Sequence, residues 1–111
     1  MAGGLHKFTV QEAQNASLGQ SGSIFVSGTS EVTCKDGVFV AITMLEDTVF
    51  ANDGLSAEIQ EKYPDDTGTG SDVSTANGAA IDGETFPKGV TIYGRWTSFK
   101  LGSGLVIAYR G

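Results

Sequence analysis

The chain has 111 residues and a formal net charge of −6, and 40% of its residues are hydrophobic. This length and composition suit one folded domain, which buries roughly two thirds of the surface that its unfolded chain exposes. A single cysteine, Cys34, excludes an internal disulfide. Because no apolar stretch approaches the roughly 20 residues that cross a membrane, we expect no membrane partner.

The charges are divided unevenly along the chain. Residues 85–111 carry four basic side chains and no acidic one, whereas all 13 acidic side chains lie in residues 1–84. The basic patch is sparse, and an acidic protein is repelled by polyanions at long range, so we expect no nucleic-acid partner. The division instead predicts contacts between copies of this chain, in which the basic edge of one copy meets the acidic loop of another.

Residues 1–22 predict an N-terminal arm that precedes a single β domain over residues 23–111. Thr9 and Glu12 have the spacing of a helix capping box. The run is short and polar, and Gly19 and Gly22 end it, so two readings stay open. The arm either forms one or two helical turns or extends onto a neighbouring molecule.

Strand signals begin at residue 23. Segments 23–27, 32–34 and 38–45 are rich in β-branched and aromatic residues, and 48–50 predicts a further short strand. Asp36 and Gly37 separate the second segment from the third. Such a pair favours the tight turns of β-hairpins, because glycine adopts positive φ without strain, so a hairpin is expected there.

Residues 52–84 predict a long acidic loop. Leu55, Ile59 and Tyr63 have the spacing of a short helix at its start. Carboxylates near glycine are typical Ca²⁺ ligands, and three aspartates suggest them here: Asp65, Asp66 and Asp72. Their spacing does not match the calcium-loop pattern, so we expect a solvated loop without a metal.

The C-terminal segment predicts two or three antiparallel strands, over residues 90–93, 95–101 and 105–109. With a period of two, Trp96 and Phe99 lie on opposite faces unless Gly94 shifts the register. The last strand is apolar on both sides, which indicates cover on both faces by a second layer or by another subunit. The expected fold is all-β, a small β-sandwich or compact β-barrel with antiparallel hairpins.

No catalytic group is evident in the sequence. His6 is the only histidine, and it lies near the start of the chain without an evident ordered partner for nucleophilic catalysis. We therefore expect no enzymatic activity, no catalytic residue and no cofactor. Tyr93 and Trp96 have the ring chemistry of a sugar-stacking platform, although such residues lie more often in cores or interfaces.

Several segments resemble a pattern found in small virion proteins of tailed bacteriophages. They are LEDTVF at residues 45–50, FPKGVTIYGRWTSFKL at 86–101 and SGLVIAY at 103–109. The pattern comprises an LEDTVF-like segment, a P-x-G-x-T-x-Y-G turn, a W/F-T-S strand and a final SG-x-VIAY strand. The resemblance implies a β-rich capsid cement or decoration protein. Its expected partners are the major capsid protein and other copies of the chain, preferably in a trimer, and its location is the capsid surface after synthesis in the host cytoplasm.

A cement protein has to bury apolar area against itself and against the shell, and Trp, Tyr and Arg are the usual energetic anchors of such contacts. The aromatic candidates are expected in the sheet core or a subunit interface, and the arginines beside carboxylates. The candidate interface residues are Tyr93, Arg95, Trp96, Phe99 and Arg110. Two alternatives remain, a host-recognition or glycan-binding module on the virion surface and a tail or head-completion protein.

Overall fold

A computed structural model describes residues 21–66, 70, 72–73 and 78–111, and residues 1–20 of the expected arm lie outside them. The described residues form strands and no helix, which confirms the all-β prediction, and none of them belongs to a helix that could cross a membrane. The strands are β1 (Ser23–Val26), β2 (Val32–Thr33), β3 (Phe39–Met44), β4 (Thr48–Ala57), β5 (Thr85–Phe86), β6 (Thr91–Ser103) and β7 (Val106–Arg110).

The seven strands form one antiparallel sheet in the order β1-β7-β3-β6-β4-β5, and β2 also pairs with β6. The hairpin expected at Asp36 and Gly37 is wrong, because β2 and β3 pair with β6 and not with each other. β2 pairs with Ser98 and Phe99, and β3 pairs with the earlier half of β6. The turn is present, with φ of 57° at Asp36, but it joins two strands that follow one another along the same long partner.

Strand β6 is strongly bent. Its first residue, Thr91, pairs with Thr43, and its last, Ser103, pairs with Val49. A straight strand of this length would separate its ends by about 40 Å. Residues 43 and 49 are at most about 22 Å apart along an extended chain, and two inter-strand spacings of about 5 Å do not close the difference. The sheet therefore folds over on itself and encloses the core, as expected for a small sandwich or barrel.

Trp96 occupies the core at this bend. Its side chain is fully buried, and its Nε1 donates a hydrogen bond to the Pro64 carbonyl at 2.9 Å. Phe99 makes edge-to-face contacts with Phe39 and Phe50. The core cluster consists of Val26, Phe39, Ile42, Met44, Phe50, Leu55, Trp96, Phe99, Leu101, Val106 and Ala108.

The strict alternation predicted for β6 is wrong, because Trp96 and Phe99 both point into the core. Pairing with β4 explains the change. Ser56 opposes Ser98 while the next residue, Ala57, opposes Trp96, so β6 gains one extra residue and switches faces there. A second register shift, between Phe39 and Ala41 of β3, lies opposite Gly94, the residue at which the sequence left such a shift open.

The acidic loop begins later than expected, because β4 continues to Ala57 and carries Leu55 into the core. Gly54 makes this possible. A Cβ at that position would lie 2.5 Å from the carbonyl oxygens of Ala51 and Lys100. The helix expected from Leu55 to Tyr63 is absent from these described residues, and only a turn forms, in which the Tyr63 N–H donates to the Ile59 carbonyl.

Substitution of Gly94 tests the packing of the chain around Trp96. An added Cβ would lie 2.8 Å from two ring carbons of Trp96, which is buried and has no room to retreat. We expect Gly94→Ala to lower the free energy of unfolding by about 1–3 kcal/mol, the usual cost of overpacking a core. Denaturant-induced unfolding measures this change.

Gly28→Ala is the matched control. Gly28 is exposed, and a Cβ there meets no atom within 4 Å. Its unfolding free energy should stay within about 0.5 kcal/mol of the parent. Equal stabilities for the two variants would show that Gly94 is not packed against the indole.

Candidate interaction surface

The strand registers place a set of side chains on the outside of the sheet formed by β1, β7, β3 and β6. Residues directly opposite in antiparallel strands share a face. One cross-strand row is Phe25, Ile107, Thr43 and Thr91, and the other is Ser23, Tyr109, Ala41 and Tyr93. We call these eight residues the outer face. Their neighbours along the strands, including Val106 and Ala108, point into the core.

The outer face carries no charge, and three of its eight residues are aromatic. Phe25 is 59% exposed and Tyr93 is 68% exposed, and Ile107 and Tyr109 between them are half-buried. The hydroxyls of Thr43 and Thr91 bond to each other at 2.8 Å, which satisfies polar groups that would otherwise bind water. The surface therefore offers aromatic contact area without charged groups to desolvate, and the hydroxyls of Ser23, Tyr93 and Tyr109 can bond to a partner.

The predicted interface residues separate into different environments. Tyr93 lies on the outer face, whereas Trp96 and Phe99 lie in the core, 0% and 1% exposed, so they fulfil the core alternative and offer no surface to a partner. The burial of Trp96 also removes one ring of the sugar-stacking platform. Sequence reasoning missed Phe25, since only the pairing of β1 with β7 brings it beside Ile107.

The two arginines bind within their own chain. Arg95 lies beside the bend, and its Nε is 2.8 Å from Oε1 of Glu58. Arg110 lies at the end of β7, and its Nη2 donates to the Asp36 backbone carbonyl at 3.0 Å, in place of the carboxylate that we expected. Its Nε is buried and has no hydrogen-bond partner.

A cavity of about 270 Å³ opens between β1 and β2. Its walls are mainly apolar, from Ile24, Val32 and Phe39, and Cys34 and Arg110 also line it. Burial raises the pKa of the Cys34 thiol, and the positive charge of Arg110 opposes that rise. The free thiol therefore stays protonated to higher pH than that of an exposed cysteine.

The acidic loop is solvated only in part, because Asp72 is exposed as predicted but Asp65 is not. Asp65 is fully buried, and its carboxylate accepts a hydrogen bond from the Ala57 N–H at 3.1 Å. The Asp66 N–H donates to the Leu55 carbonyl at 2.8 Å. These bonds fix the start of the loop against β4. Across the described parts of the chain, no three His, Cys, Asp or Glu side chains cluster in a way that could hold a metal ion.

No protein-family model, curated protein or solved structure matches this chain.

The raised pKa of Cys34 gives a pH-dependent prediction. Only the thiolate reacts with iodoacetamide, and below its pKa a raised value leaves less thiolate than in the unfolded chain. We expect native Cys34 to be alkylated more slowly than Cys34 in urea, with a rate that climbs at higher pH. Mass spectrometry of the alkylated protein gives both rates.

Arg110→Met extends this test. Loss of the positive charge should raise the pKa of Cys34 further and shift the native pH profile upward. Identical native and unfolded profiles, or a downward shift in the variant, would contradict this account of the thiol.

Proposed function

We propose that this chain is a structural virion protein that binds and stabilises a capsid shell as an oligomeric cement protein. The observation that carries the proposal is the outer face, where Phe25 and Tyr93 are more than half exposed beside Ile107 and Tyr109. Apolar residues are normally scattered singly over a protein surface, and a grouped set marks a site of interaction.

The rigidity of the outer face supports a binding role. Strands β7 and β3 are each paired on both sides, so the backbone that carries Ile107 and Tyr109 is held from both sides. Tyr93 pairs with β3 alone, because β4 pairs with β6 only from Trp96 onward. Side chains on such a scaffold lose little conformational freedom on binding. The outer face is therefore already formed before a partner binds.

The outer face of one copy is small, which explains why tight binding would need an oligomer. Phe25 and Tyr93 together expose on the order of 250 Å², if each side chain carries about 200 Å². At about 25 cal/mol per Å², their burial yields roughly 6 kcal/mol, which the loss of rotational and translational freedom largely offsets. Linked copies that bind adjacent shell subunits gain affinity through effective concentration.

The resemblance supplies the identity of the partner. The outer face includes Thr91 and Tyr93 of the GVTIYG segment and Ile107 and Tyr109 of the VIAY segment, both of which belong to the virion-protein pattern. The proposed partner is the major capsid protein, and the proposed location is the capsid surface. A trimer is the oligomer expected from the resemblance.

Reconstitution tests this proposal. Purified protein is added to capsids prepared without it, and saturable binding and the melting temperature of the shell are measured. We expect binding to raise the melting temperature. Because Tyr93 is exposed, Tyr93→Ser should fold normally but lose about 2 kcal/mol of binding free energy, a roughly 30-fold increase in Kd.

Val73→Ser is the control, since Val73 is 80% exposed but lies outside the outer face. It should bind as the parent does. Absence of saturable binding by the parent would refute the cement role, and equal losses in both variants would refute the outer face as the contact. A stained gel of virions adds the copy number, which is high for a cement protein and low for a head-completion protein.

A further inference from the structure

Strand β1 lies at an open edge of the sheet, because no other described strand pairs with the side opposite β7. The Arg110 N–H donates to the Gly22 carbonyl at 2.9 Å. Hydrogen-bonded and non-bonded pairs alternate in antiparallel strands. Ile24 therefore bonds to β7, whereas Phe25 directs its N–H and C=O away from β7, toward the open edge.

This edge lacks the features that normally prevent strands from pairing with other molecules. Natural edge strands carry charges, proline or bulges. β1 contains neither charge nor proline, and no charged residue occurs between Glu12 and Glu31. The opposite edge differs, since β5 has two residues and is flanked by Glu84 and Pro87. Of the two end strands of the sheet, β5 is therefore protected and β1 is not.

We propose that β1 pairs with β1 of a second copy of this chain, antiparallel about a two-fold axis. Phe25 of each copy then exchanges both backbone hydrogen bonds with Phe25 of the other, and Ile24 lies opposite Val26. This register keeps Phe25 of both copies on the same side of the sheet, because opposite residues share a face. The two outer faces become one continuous surface.

Charge explains why the occupant is a second copy. Two molecules with a net charge of −6 repel each other, and an uncharged segment brings them together without opposing carboxylates. The two-fold axis makes the contact self-complementary, so one strand supplies both sides of it. A cationic partner would be drawn instead to the acidic residues elsewhere in the chain.

The cavity between β1 and β2 favours the same arrangement. Ile24 lines this cavity and is 40% exposed in the single chain. In the paired register, Val26 of the second copy lies beside Ile24 at the margin of the cavity. The symmetric contact is repeated on the other copy, so both cavities gain an apolar neighbour and both Ile24 side chains leave water.

This pairing is distinct from the capsid contact, and either can fail without the other. The outer face stays accessible in the pair and is doubled in extent. A two-fold contact builds a dimer, in place of the trimer that the resemblance implies, so the mass of the oligomer separates the two assemblies.

Phe25→Pro tests the pairing. Proline removes the N–H that points to the open edge, and β7 does not use that N–H, so the variant should fold. By symmetry the substitution removes two intermolecular hydrogen bonds, each worth about 1 kcal/mol, and the dimer Kd should rise at least roughly tenfold. Sedimentation velocity over a range of concentrations measures this change.

Phe25→Leu is the matched control, since it keeps the N–H and an apolar side chain, and it should remain largely dimeric. Tyr93→Ser, on the same face but away from the edge, should dimerise as the parent does. A parent that is monomeric at all concentrations, a trimer, or a Phe25→Pro variant with unchanged dimer Kd would overturn the proposal.

Hydrogen exchange of the parent protein tests the β1–β1 pairing without any substitution. The Phe25 amide should exchange more slowly as protein concentration rises, because it becomes bonded only in the dimer. The Ile24 amide, bonded to β7 within its own chain, should show no concentration dependence from pairing. A Phe25 amide that is insensitive to concentration while dimers form would place the interface elsewhere. Capsid binding by a parent protein that stays monomeric would overturn the pairing and leave the cement role intact.

Discussion

The bend of β6 around Trp96 is the constraint on which the remaining structure depends. The indole is fully buried, lies against Gly94 and donates a hydrogen bond to the Pro64 carbonyl. One side chain therefore joins the sheet to the start of the acidic loop, and the buried Asp65 carboxylate completes the connection through the Ala57 N–H. The bend lets a single sheet enclose its own core, and it leaves the opposite side of β7, β3 and β1 facing outward.

The outer face is formed by the order of the strands in the sheet, which brings residues from distant parts of the chain side by side, more than by any local sequence motif. Phe25 and Tyr109 come from opposite ends of the described chain, and they lie on one face only because β1 pairs with β7. Tyr93 joins them through β3, which lies between β7 and β6. A surface assembled in this way is as rigid as the sheet itself, and its uncharged character contrasts with a chain of net charge −6.

The sequence predicted strand content well and strand pairing poorly. Runs rich in β-branched and aromatic residues located β1, β3 and β7 within one or two residues, because such composition reflects local burial. The turn at Asp36 was also recognisable from the sequence. The positive φ of Asp36 does not determine, however, which strand pairs with the segment that follows the turn. Trp96 and Phe99 share the core only because an extra residue in β6 opposes β4, and a period of two cannot reveal such a shift. Asp65 has the sequence context of a solvated carboxylate, and its hydrogen bond from the Ala57 N–H becomes visible only once β4 and the loop have folded together.

The order of the strands has a consequence for the nascent polypeptide. Strand β3 pairs with β6 and β7, which are synthesised well after it, and β1 also cannot pair until β7 has been made. Pairings between residues so distant in sequence slow folding, and they leave unpaired strand edges open to aggregation in the meantime. The sheet cannot be completed until residues 106–110 have left the ribosome, so a product terminated before β6 would display the apolar β3 with no partner on either side.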